Sequence, residues 1–115
     1  MTKDDKRLHT RIDALNLIAY ECTDESGQAV LHGMGRTLNI SEGGILLETH
    51  VQIEQQYDAL LIIGLENDLI NIKGKVVSSK PGKADKFESG IKFLEISAAE
   101  FAILKVYIKA FQDSN

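Results

Sequence analysis

The feature that most limits what this chain can fold into is a repeated alternation of apolar and polar residues in short stretches, each closed by turn chemistry. In Leu15-Asn16-Leu17-Ile18-Ala19-Tyr20-Glu21-Cys22, the residues Leu15, Leu17 and Ala19 share one face of a strand, and Asp24-Glu25-Ser26-Gly27 follows as a turn. A second strand is expected over about Gln28 to Ile40, bent or bulged near Gly33 and Gly35, where glycine relieves crowding. Ser41-Glu42-Gly43-Gly44 breaks the pattern and Ile45-Leu46-Leu47-Glu48 resumes it. Further strands are expected at Tyr57–Leu65, Ile70–Ser79 and Glu88–Ile96, separated by Glu66-Asn67-Asp68 and by Pro81-Gly82-Lys83-Ala84-Asp85. Short strands joined by tight turns, with no helix between them to carry a parallel crossover, predict a mainly β fold. The expected form is a six-stranded antiparallel barrel or sandwich.

The end of the chain changes period. Ser97-Ala98-Ala99-Glu100 is a capping box, and Phe101, Leu104, Tyr107, Ile108 and Phe111 follow at spacings of three and four. This predicts an amphipathic helix over about 98–112 whose apolar face docks on the chain's own barrel. Only Lys105 and Lys109 decorate its polar face, too few for a membrane-surface helix. Residues 1–11 are polar and charged and read as a flexible arm, leaving 12–112 as the single folded domain.

Composition removes several classes. The single cysteine, Cys22, permits no internal disulfide, so a reducing compartment is expected. No apolar signal core, spanning segment or terminal lipidation box is present, so the expected location is the cytoplasm with no membrane insertion. The 115 residues carry 13 Lys+Arg against 17 Asp+Glu, a net charge of −4, which argues against a nucleic-acid polymer as partner. A stacking platform for single strands is also disfavoured, since three of the aromatics lie on the final helix. His9, His32 and His50 have no ligand spacing with one another or with Cys22, so no metal site is expected. No nucleophile elbow, P-loop or dinucleotide glycine pattern occurs, and no catalytic centre or cofactor is expected. Cys22 itself reads as a buried or edge thiol.

Two short motifs remain. Arg7-Leu8-His9-Thr10-Arg11 sets two arginines four apart where the arm meets the first strand. Arg7, Arg11 and Arg36 are the chain's only arginines, and a guanidinium fork bonds phosphate oxygens or guanine O6 and N7 in bidentate fashion. In Asn39-Ile40-Ser41-Glu42-Gly43-Gly44 a strand ends in a tight turn. There Asn39 and Ser41 point away from the core while Ile40 points in. Gly44 admits positive φ and close approach of a flat ligand. Arg36 shares parity with an inward Leu38 and Ile40 and reads first as a salt-bridge residue at the barrel mouth. Each motif alone recurs by chance; the pair in this order, with a closing strand Ser89-Gly90-Ile91-Lys92-Phe93 and a final helix, is far more specific.

Together these features resemble the PilZ domain family, bacterial receptors for the second messenger cyclic di-GMP, from about Arg7 to Phe111. The family's paired motif, Arg-x-x-x-Arg and then Asp/Asn-x-Ser-x-x-Gly, stands here as Arg7 and Arg11 followed by Asn39, Ser41 and Gly44. The resemblance implies a six-stranded antiparallel barrel of split-barrel type with a C-terminal helix. It also implies that Arg7 and Arg11 wrap the dinucleotide from the arm while Asn39, Ser41 and Gly44 hold a guanine on the barrel. Lys6, Gly43 and Arg36 are additional candidates. Where aspartate is common, Asn39 offers one carbonyl oxygen in place of a carboxylate, which implies weaker acceptance from the guanine donor edge. Residues 3–11 carry four cations against two carboxylates, so the ligand would meet a positive arm on an acidic chain. The implied output is a stand-alone adaptor whose arm orders over the ligand and alters contact with a protein effector. The rival is a degenerate member that keeps the fold and binds proteins without nucleotide.

Overall fold

The structure is a computed structural model that describes residues 17–65 and 68–114. Six strands are present: β1 (Leu17–Thr23), β2 (Ala29–Ile40), β3 (Gly44–Thr49), β4 (Asp58–Leu65), β5 (Asp68–Pro81) and β6 (Phe87–Phe93). The helix α1 (Ala98–Ser114) follows. Every ladder is antiparallel, and the order β1-β2-β3-β6-β5-β4 closes through β4 against β1 into a barrel. Among the described residues closure leaves each strand with a partner on both sides, so six strands suffice for an independent fold.

The inner face is largely apolar, with Leu47, Leu61, Ile72 and Ile91 among its fully buried residues and Thr37, Thr49 and Ser89 buried beside them. On β1 the inward residues are Ile18, Tyr20 and Cys22, at 1%, 5% and 0% exposure, whereas Leu17 is half exposed. The face that Leu17 and Ala19 share is therefore the outer one, and Leu15 lies outside the described residues. Both faces of Leu17-Ile18-Ala19-Tyr20 are apolar, so alternation could not choose between them. The registers Tyr20↔Gly33 and Tyr20↔Leu61 decide it. Burial pushes the Cys22 thiol up to about 11, with Glu21 adding a smaller push in the same direction, so it stays protonated near neutrality.

The glycines of β2 relieve crowding as expected: a Cβ on Gly35 would lie 2.6 Å from Leu47 Cγ. The register irregularity, however, falls later, between Thr37 and Asn39. Thr37 pairs with buried Leu47, and the extra residue Leu38 then reverses the alternation, so that Asn39 faces outward beside Leu46 and Ile40 faces inward beside Ile45. Strand β5 begins at Asp68 and runs through Pro81, taking in residues expected to turn, while β6 ends at Phe93 rather than Ile96.

The capping box forms. Ser97 Oγ accepts from the Glu100 N–H at 3.1 Å, and Glu100 Oε1 accepts from the Ser97 N–H at 3.3 Å and from its hydroxyl at 3.1 Å. The helix then lays Leu104, Tyr107, Ile108 and Phe111 into the barrel core. Tyr107 and Thr37 hydroxyls meet at 3.3 Å beneath the β2 bulge. Burying each of these large apolar side chains contributes about 1.5–3 kcal/mol. Among the described residues no helix is long and apolar enough to cross a membrane.

Candidate functional site

The β2–β3 hairpin turn is held by its own polar groups. The Ser41 N–H donates to the Gly44 carbonyl at 2.9 Å, and Ser41 Oγ accepts from the Gly43 N–H at 3.3 Å. Asn39 Oδ1 accepts from the Ile40 N–H at 2.9 Å, which fixes the amide flip and leaves its NH₂ directed elsewhere. The Phe93 N–H donates to the Gly43 carbonyl at 2.9 Å, so the turn is also tied to β6.

Gly44 is required here for a reason other than backbone angle. Gly27 is the described glycine with positive φ; Gly44 is not. A Cβ on Gly44 would stand 2.6 Å from the Ile91 carbonyl oxygen, closer than two such atoms approach. The glycine therefore lets β3 lie tight on β6. Its neighbour Gly43 has open space around it.

Asn39, Ser41, Gly43 and Gly44 together line one open cleft of about 450 Å³ on the barrel wall, within the size range of small-ligand sites. Leu46 adds to it from β3, and the residues that complete it come from strands distant in sequence: Val77, Gly90 and Lys92 among them. The register explains the convergence, since Asn39 pairs with Leu46, Leu46 with Gly90, and Gly90 with Ser78 across four adjacent strands. A second irregularity between Val76 and Ser78 turns Val77 outward beside this row, half exposed. Alternation within Ser89-Gly90-Ile91-Lys92-Phe93 puts Gly90 and Lys92 outside, but only the ladder brings them to the motif. A further cleft of about 580 Å³ is lined by Ser41 and Glu42 from the turn and by Lys105 and Lys109 from α1.

Arg36 stands elsewhere. The Leu38 bulge breaks the parity that would have sent it inward with Ile40; it is exposed on the outer wall, opposite Glu48 and Leu17, and does not line the cleft. The described ion pairs, Lys75–Asp58, Lys80–Glu88 and Lys86–Glu48, do not include it. Lys6, Arg7 and Arg11 lie outside the described residues.

A family model for the PilZ domain matches residues 5–110. Among solved structures the fold is similar to K. pneumonia MrkH in its apo state, at 16% identity and TM-score 0.60, covering 84% of this chain and 47% of that one. It is also similar to the Bacillus subtilis inhibitor of motility MotI/DgrA, at 20% identity and TM-score 0.60, covering 86% of this chain and 48% of that one. The chain thus spans about half the length of these solved relatives. No curated protein matches it.

Proposed function

The chain belongs to the PilZ domain family, a family of cyclic di-GMP receptors, and on that footing we propose that it binds this dinucleotide through Arg7, Arg11 and the Asn39-x-Ser41-x-x-Gly44 turn. The observation that carries the reading is the cleft: the bulge at Leu38 turns Asn39 out beside Ser41, on a wall where Gly43, Gly44 and Gly90 add no side chains of their own. Asn39 and Ser41 offer polar atoms to a guanine edge. Arg7 and Arg11 supply forks for phosphate and for guanine O6 and N7, bonds that gain from full charge. The two phosphodiester charges explain how a chain of net charge −4 accepts an anion: two placed guanidinium groups suffice where a polymer would need a basic face. In this reading the protein acts in the bacterial cytoplasm as a receptor and adaptor rather than an enzyme. Closure of the N-terminal arm over the ligand makes a new surface for a protein effector.

Calorimetry tests this directly. Saturable heat is expected with cyclic di-GMP and not with GMP or cyclic di-AMP, and Arg7→Ala with Arg11→Ala should abolish it without lowering Tm. No heat from cyclic di-GMP with tens of micromolar protein would refute it. One observation favours the second reading, a barrel that has lost nucleotide binding. Asn39, Ser41 and Gly44 each serve the hairpin itself, through the Ile40 N–H bond, the turn bonds and the approach to Ile91, and would be kept without a ligand. That reading predicts no binding by the natural chain.

A further inference from the structure

Beside the turn, the outer wall of the barrel sets like charges against each other. Along one cross-strand row Gly44 pairs with Lys92, Lys92 with Lys75, and Lys75 with Asp58. Residues directly opposite in an antiparallel ladder have Cβ atoms roughly 4.5–5.5 Å apart, and two cations so placed repel. Asp58 relieves Lys75, at 3.6 Å. No ion pair joins Lys92 to any described carboxylate. Across the ladder on its other side is Gly44, and two residues back on its own strand is Gly90. The Lys92 side chain therefore has glycines as these two neighbours and lines the same cleft as Asn39 and Ser41, with Leu46 and Val77 also on its wall. Both glycines are fixed by close packing, Gly44 on the Ile91 carbonyl and Gly90 on Ser78 Oγ, so this arrangement is built into the barrel.

We propose that Lys92, pressed by Lys75, is a third cationic contact for the dinucleotide, receiving a phosphodiester oxygen on the barrel side of the cleft. The inference rests on the cyclic di-GMP reading and adds a residue outside its paired motif. An ammonium can serve a phosphate oxygen as a point charge, and a guanidinium in its place could do the same, whereas the guanine edge needs the planar fork that the arginines offer. Lys75 stands beside Lys92 with its charge shared with Asp58, whereas Lys92 has no carboxylate in the described ion pairs, so a bound anion would relieve what remains of the repulsion. The charge would also favour a ligand with a phosphate beside Lys92 against one carrying only its bases there.

The test is cyclic di-GMP calorimetry on the natural chain, Lys92→Gln and Lys92→Arg, at low and high salt, with a melting curve of each free protein. The natural chain and Lys92→Arg are expected to bind comparably. Lys92→Gln should bind about tenfold more weakly at low salt, with the gap narrowing at high salt. The free Lys92→Gln protein should melt no lower than the natural chain, because a repulsion has been removed. If the natural chain binds and Lys92→Gln binds within twofold of it, the inference is overturned and the cyclic di-GMP reading stands. Weaker binding accompanied by a lower Tm of the free protein overturns it too, marking a structural role. Failure of the natural chain to bind overturns both.

Discussion

Replacing Gly44 with alanine separates the structural from the ligand-facing reading of the motif's last residue. The added Cβ would lie 2.6 Å from the Ile91 carbonyl oxygen, and the next contacts, at 3.5 Å, are also backbone. No side chain can rotate away, so β3 must move off β6 by about half an ångström or more, at the point where Gly44 pairs with Lys92. Overpacking against a fixed neighbour costs about 2–3 kcal/mol, a large part of the stability of a small domain. For a barrel of this size that lowers Tm by roughly 8–15 °C. Gly43→Ala is the internal control. Its added methyl meets nothing within 4 Å, its φ is not left-handed, and stability should change by less than about 0.5 kcal/mol. Thermal unfolding followed by circular dichroism on the free proteins reads both. Equal Tm values for the two variants would refute the steric account and leave the ligand as the reason for glycine at position 44.

Three further outcomes are expected. Asn39→Asp keeps an oxygen for the Ile40 N–H and adds a second charged acceptor, so calorimetry should show cyclic di-GMP binding several-fold tighter. Unchanged or weaker binding would place the guanine donor edge elsewhere. Ser97→Ala removes the hydroxyl that accepts from the Glu100 N–H, leaving the backbone N–H at position 97 for the Glu100 carboxylate, and should lower stability by about 1 kcal/mol, read as a Tm fall of roughly 4–8 °C. Cys22 has its pKa raised in the folded state to about 11, so its contribution to stability is intact below the unfolded thiol's range near about 8.5. It is lost as pH climbs toward the folded value. A thiol reagent at pH 8 should accordingly label Cys22 only as fast as the barrel opens, and rapid labelling of the native protein would contradict its complete burial.

Much of the fold was legible in local chemistry. Alternation marks strands because successive side chains point to opposite faces, and a helix that begins Ser-x-x-Glu carries its own start signal; both are properties of a few adjacent residues. The outward placement of Asn39 and Ser41 around inward Ile40 was legible for the same reason. Legibility failed where the answer depended on a partner strand. On β1 both faces are apolar, and the pairing of Tyr20 with Leu61 chose the buried one. At Arg36 the parity rule counted through Leu38 as though the strand were regular, but the bulge opposite Leu46 and Leu47 resets the count. The reason for Gly44 was likewise hidden, since the atom it avoids belongs to Ile91, 47 positions later in the chain.

By itself, then, the sequence determined the kind of object: a mainly β fold of short antiparallel strands ending in a capped helix, with one turn whose polar side chains face out. These follow from interactions of short range along the chain, where spacing is a sufficient guide to direction. Tertiary structure alone decided which residues share a surface. Lys92, Val77 and Gly90 join Asn39 and Ser41 because ladder registers across β2, β3, β6 and β5 bring them into adjacent rows. Register is set by the packing of the whole inner face, and a one-residue slip would send every one of those side chains to the opposite side of the wall.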